Sequence, residues 1–106
     1  MAENVISLET AQNWAARWRK NPENVVKAFL IPHDDFTQLL AQGNVDDIRA
    51  YVGIDDNGTH KLMLVGVDKD GSDLIDADKQ EYIYDFTQPC SNFCDVRSPL
   101  FDLKKS

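Results

Sequence analysis

Between Ile48 and Val67 the hydrophobic period becomes two and the chain reverses once, and this segment restricts the fold more than any other. Ile48, Ala50, Val52 and Ile54 alternate with Arg49, Tyr51 and Gly53, the pattern of a half-buried strand. Asp55-Asp56-Asn57-Gly58 follows, residues that tolerate left-handed backbone, and Lys61-Leu62-Met63-Leu64-Val65-Gly66-Val67 is a second apolar run. Two strands joined by such a turn form an antiparallel hairpin. Arg49 and Tyr51 point off the face opposite Ile48, and Met63 and Val65 are candidates for that same outer face.

Upstream, Ser7 is a candidate N-cap for a helix over about residues 8–20, in which Leu8, Ala11, Trp14, Ala15 and Trp18 recur at three- and four-residue steps. Glu9 in its first turn and Arg17, Arg19 and Lys20 in its last match the helix dipole. Val25 to Ile31 is an apolar run of strand length closed by Pro32 and is read as a strand, with continued helix as the alternative. His33-Asp34-Asp35 then opens a short second helix whose apolar set is Phe36, Leu39 and Leu40, ending at Gly43. Beyond the hairpin, a polar stretch from Asp68 to Lys79 leads to a further strand, Glu81 to Phe86, with alternating aromatics.

This order predicts an α+β fold with two helices packed on one face of a largely antiparallel sheet of about four strands, which buries each apolar stripe. A chain of 106 residues is expected to form a single domain, with loose termini at about 1–5 and 102–106. Phe29-Leu30-Ile31-Pro32, the segment Ile48 to Gly53, and Tyr84-Asp85-Phe86 ahead of Pro89-Cys90 resemble small uncharacterised bacterial α+β proteins with a C-terminal cysteine pair. That resemblance spans residues 25–94, rests on no diagnostic motif and implies no activity.

Eighteen acidic against eleven basic residues give a formal charge of −7, which opposes binding to nucleic-acid phosphates or anionic lipid and suits a basic partner or a cation. The N-terminus has no cationic stretch or apolar run of secretory length, and no segment approaches the ~20 apolar residues of a membrane span. The cytoplasm is the expected compartment.

Both cysteines, Cys90 and Cys94, lie in Pro89-Cys90-Ser91-Asn92-Phe93-Cys94. On a helix they would share one face and could supply two metal ligands, but a structural zinc needs four. A loop after Pro89 could bring them to disulfide geometry. The spacing has three intervening residues rather than the two of thioredoxin-like motifs, and Asp85 and Asp95 disfavour a thiolate. Packing of Cys90, Phe93 and Cys94 over the end of the sheet is therefore expected ahead of either chemistry.

Asp68, Asp70, Asp73, Asp76, Asp78 and Glu81 crowd the polar stretch, yet the calcium-loop template fails in every register, and a solvated connection is expected. His33 and His60 read as surface histidines without an identifiable nucleophile, and no glycine-rich phosphate loop is present. Trp14 and Trp18, beside Ala11 and Ala15, suit a helix packed closely on a sheet; the alternative is an aromatic interface patch.

The function these residues favour is a non-catalytic interaction or self-association module. Its candidate surface residues are Trp14, Trp18, Arg49, Tyr51 and Met63, its partner a protein or a second copy, and no cofactor is expected. The rival is a redox-responsive or metal-binding protein acting through Cys90 and Cys94. An enzyme ranks third, because no acid, base and nucleophile converge.

Overall fold

The computed structural model describes residues 3–85, 88–90 and 94–104. Its elements run α1 (Leu8–Arg19), β1 (Phe29–Leu30), α2 (His33–Ala41), β2 (Asp47–Ile54), β3 (His60–Val67), β4 (Asp73–Leu74), a 3-10 turn (Ala77–Lys79) and β5 (Gln88–Pro89). The fold is α+β, with two helices and antiparallel pairing throughout, but the strands divide into two sheets, β2-β3-β4 and β1-β5.

The expected hairpin is present in full, with unbroken register from Asp47 opposite Val67 to Ile54 opposite His60. Its turn is built by Asp55. The Oδ1 atom accepts hydrogen bonds from the amides of Asn57 and Thr59, both at 2.9 Å, and Gly58 takes the left-handed conformation at φ 82°. The same device recurs thirteen residues later, where Asp68 Oδ1 accepts from Asp70 and Ser72 and Gly71 sits at φ 84°. That second turn returns the chain as β4, so the acidic stretch is not only a solvated connection. It carries the third strand of the meander.

The strand expected over 25–31 contracts to Phe29–Leu30. Its partner β5 explains the length, because Pro89 lies opposite Phe29 and has no amide to donate. Pairing continues irregularly, with the Cys90 amide donating to the Ala28 carbonyl at 2.6 Å and the Lys27 amide to the Cys90 carbonyl at 3.2 Å. The strand expected over 81–86 reduces to a single bridge, Tyr84 opposite Leu64. Gln80, at φ 62°, redirects the chain just ahead of it, and β4 already occupies the adjoining edge of β3. Phe86 and Phe93, which figured in these expectations, lie outside the described residues.

Helix α1 begins as its sequence dictates, with Ser7 Oγ accepting from the Thr10 amide at 3.0 Å. Twelve residues are too few for a stable isolated helix, so other contacts hold it. Several of them run to the flanking chain. Trp18 Nε1 donates to the Val26 carbonyl at 2.7 Å, Gln12 Nε2 to that of Pro99 at 3.0 Å, and Arg19 to those of Phe101 and Leu100. No residue of α1 is buried, which corrects the expectation that Trp14 and Trp18 fill a core; both are half-exposed, at 54% and 50%.

Helix α2 lies against β3. Of its apolar set only Leu39 is buried, whereas Phe36 and Leu40 are exposed. Just beyond the helix, Gln42 Oε1 accepts from the Tyr84 hydroxyl at 2.9 Å and from the Tyr82 amide at 3.2 Å, which ties α2 to the bridge on β3. The buried apolar side chains centre on β3, at Leu64, Val65 and Val67, with Leu39, Leu74, Val26 and Cys90 around them. This is a thin core. The radius of gyration is 16.0 Å, against about 13 Å for a compact chain of this length.

Candidate interaction surface

The two edges of β3 differ. On one side the Leu64 amide and carbonyl bond to Tyr84, at 2.8 and 2.9 Å, so Leu64 and the other even-numbered residues of β3 turn their main chain away from β2. Antiparallel geometry then fixes β2: Asp47, Arg49, Tyr51 and Gly53 hydrogen-bond to β3, and Ile48, Ala50, Val52 and Ile54 direct their N–H and C=O groups to the outer edge. Strand β2 is the edge of its sheet. It is an eight-residue strand with no Lys, Pro or bulge to guard it.

The side chains of those same four residues share one face, and they are bare. Val52 is 76% exposed, Ile54 67% and Ile48 42%. The alternation predicted a half-buried strand; in the fold seven of its eight positions are exposed, and only Gly53 is partly covered. The cause is coverage. Val45 and Gln42, just after α2, reach Gly66 of β3, while Val52 and Ile54 at the outer half of the hairpin stay exposed.

On the opposite face Arg49 and Tyr51 lean inward across β3 to a shared acceptor, with the Arg49 guanidinium and the Tyr51 hydroxyl each donating to a different carboxylate oxygen of Asp73 on β4. Arg49 Nη1 also donates to the Gly71 carbonyl at 3.3 Å. The clasp spans the register positions of Val65 and Val67, both nearly inaccessible, so Val65 is covered rather than exposed on the outer face. Hydrogen bonds from Tyr51 and then Arg49 hold the Asp73 carboxyl below its usual range, and the bond to Asp73 raises the Tyr51 phenol. Tyr84 is raised too, chiefly by burial. Met63, the register partner of Tyr51, folds its methyl group over Gly53.

The proposed surface residues thus fall into two places. Arg49, Tyr51 and Met63 share one face of the hairpin, whereas Trp14 and Trp18 lie on α1 beside the C-terminal segment. The sequence reading missed Asp73, whose role was legible only as a repeat of the Asp-x-Asn/Asp-Gly turn that places it on a strand.

The cysteines make a second candidate site. Cys90 and Cys94 are joined in a disulfide with Cα atoms 4.7 Å apart, which corrects the expectation of simple packing, although Cys90 is also buried. The bond stands in the wall of an open cleft of about 490 Å³ between α1, β1 and the C-terminal segment, with Ala11, Ala15, Arg19, Leu30 and Phe101 around it. Lys27 Nζ lies 5.4 Å from the centre of the Phe101 ring. Among the described residues no three His, Cys, Asp or Glu side chains gather as a metal site requires. His33 packs edge-on against Phe36, and His60 is partly covered rather than fully exposed.

No helix among the described residues is long and apolar enough to cross a membrane. Compared with protein-family models, curated proteins and solved structures, the chain matches none. The class its architecture defines is an α+β protein built on a three-stranded meander with β2 at its edge.

Proposed function

We propose that this chain is a non-catalytic protein-interaction module, acting in the cytoplasm, whose working surface is the outer edge of β2. One observation carries this: β2 presents seven exposed residues, among them Ile48, Val52 and Ile54, beside main-chain groups that no strand among the described residues lies alongside. Soluble proteins guard such edges or cover them, and among the described residues no strand covers this one. Strand addition would supply main-chain hydrogen bonds, and the alternate apolar side chains would give selectivity.

A photo-activated crosslinking residue at Val52, with one at Asp70 in the acidic turn as control, tests the reading in living cells. Discrete adducts at Val52 and none at Asp70 are expected. Equal labelling at both positions, or none at Val52, would remove the β2 edge as a working surface.

A second reading, of another class, rests on the covalent pair Cys90–Cys94 in the cleft wall. As a redox-responsive protein, the reduced chain would pass two electrons and two protons to a disulfide-bearing oxidant, which leaves as a dithiol while the Cys90–Cys94 bond forms. Mass spectrometry of protein alkylated at once in intact cells separates the readings. A fraction of bonded cysteines that rises under oxidative stress favours the redox role, and a constant state favours a structural one.

A further inference from the structure

We infer that the occupant of the β2 edge is a second copy of this chain, added antiparallel about a two-fold axis that passes through Tyr51. The inference rests on the interaction reading above and narrows it to one partner.

The argument is one of register. The outward-facing main-chain groups belong to Ile48, Ala50, Val52 and Ile54. An axis at Tyr51 places Ile48 opposite the partner copy's Ile54 and Ala50 opposite its Val52, so each outward residue meets another outward residue. Each such match is a hydrogen-bonded pair that exchanges two main-chain bonds. The apolar side chains match in the same step, because these four residues share a face. A slip of one residue would set outward groups against inward ones and lose every bond.

The opposite face accepts the same register. Arg49 comes opposite Gly53, which has no side chain to obstruct it, and Tyr51 meets its own copy on the axis. Arg49 and Tyr51 are drawn inward to Asp73, which leaves the edge clear. The like-charged matches are Asp47 with Asp55 and, just beyond the strand, Asp46 with Asp56, at each rim. Asp55 turns its Oδ1 into the hairpin turn, and salt screens what remains. Association is therefore expected to strengthen as salt rises, the opposite of binding to a basic partner.

The test uses the full chain in light scattering over a concentration series, together with three variants. The expected result is a shift from the 12.0 kDa chain mass to twice that mass. Ala50→Pro deletes an amide that faces outward, so it spares the β2–β3 pairing and should weaken association on the order of tenfold or more. If Ala50→Pro fails to fold, Val52→Lys places a charge at the same edge and serves instead. Tyr51→Cys should form a disulfide with its own copy under mild oxidation, because a non-hydrogen-bonded pair brings its Cα atoms to about 4.5 Å. Peptide mapping must show position 51 linked to position 51, with Asp70→Cys unlinked.

A chain monomeric at every concentration, or a dimer that neither crosslinks at 51 nor responds to Ala50→Pro or Val52→Lys, overturns the inference. If the protein is monomeric while the Val52 crosslink captures another protein, the self-pairing fails and the interaction reading stands. If neither occurs, both fail.

Discussion

Gly66 of β3 lies directly beneath Val45. A Cβ atom at Gly66 would come within 2.7 Å of Val45 Cγ2 and 3.5 Å of Gln42 Nε2, so the chain leaving α2 rests on this strand because Gly66 has no side chain. Leu64, two residues along on the same face, is buried as well. Gly66→Ala is expected to cost about 1–3 kcal/mol by overpacking, and Val45→Ala in the same chain to recover part of that loss. Urea unfolding of both variants measures it. An unchanged midpoint for Gly66→Ala would mean that α2 does not bear on β3 as described.

The Asp73 clasp predicts a titration. Tyr51 is raised by its hydrogen bond to Asp73, so the fold favours the neutral phenol. That contribution is complete below the unfolded phenol value of about 10 and is lost as pH rises through the higher folded value. Asp73 works in the other direction: its contribution is present above the unfolded carboxyl value and lost as pH falls through the lowered folded one. Phenolate absorbance, with Tyr51→Phe subtracted to isolate this ring from Tyr82 and Tyr84, should show Tyr51 ionising late and Asp73→Asn returning it toward the ordinary value. A Tyr51 curve indifferent to Asp73→Asn would mean the clasp does not form in solution.

How much of this was legible depended on whether a residue's partner was local. Ser7 capping α1 and Asp55 building the first turn act within four residues, and both elements are read from spacing alone. The second turn is equally legible, since Asp68-Lys69-Asp70-Gly71-Ser72 repeats the chemistry of Asp55-Asp56-Asn57-Gly58-Thr59, but the acidic residues around it give the stretch the composition of a solvated connection. Coverage was not legible. Whether Val52 or Val65 is buried depends on where α2 stops and on Arg49 and Tyr51 reaching Asp73, and the period of β2 is the same in either case. The cysteine pair was visible as a spacing. The Cys90 main chain pairs with Lys27 and Ala28, some sixty residues earlier, and that long-range contact had no signal in the spacing.

Trp14 and Trp18 are exposed to almost the same degree, yet Trp18 also donates a part-buried hydrogen bond to the carbonyl of Val26, at 2.7 Å. Trp18→Phe keeps an aromatic ring but removes the donor, leaving that acceptor without this bond, and is expected to cost about 1–2 kcal/mol. Trp14→Phe should stay within about 0.5 kcal/mol, as a surface substitution does. Thermal unfolding followed by circular dichroism compares them. Equal losses would indicate that the two rings share a buried site, such as an interface in an assembled form.

The Cys90–Cys94 bond closes a short loop, with a sequence separation of 4. Chain-entropy reasoning assigns such a loop about 2 kcal/mol, less than a long-range crosslink provides. The consequence should be local. Cys90 anchors β5 to the chain ahead of β1, and the segment that follows Cys94 delivers Pro99, Leu100 and Phe101 to the side chains of Gln12 and Arg19. Reduction is therefore expected to speed amide exchange in α1 and in residues 98–102, while β2 and β3 exchange as before. Hydrogen exchange read by mass spectrometry, with and without a phosphine reductant, gives the pattern. Uniform acceleration across the hairpin would show that the bond supports the whole fold, and no change in α1 would show that the C-terminal segment holds the helix without it.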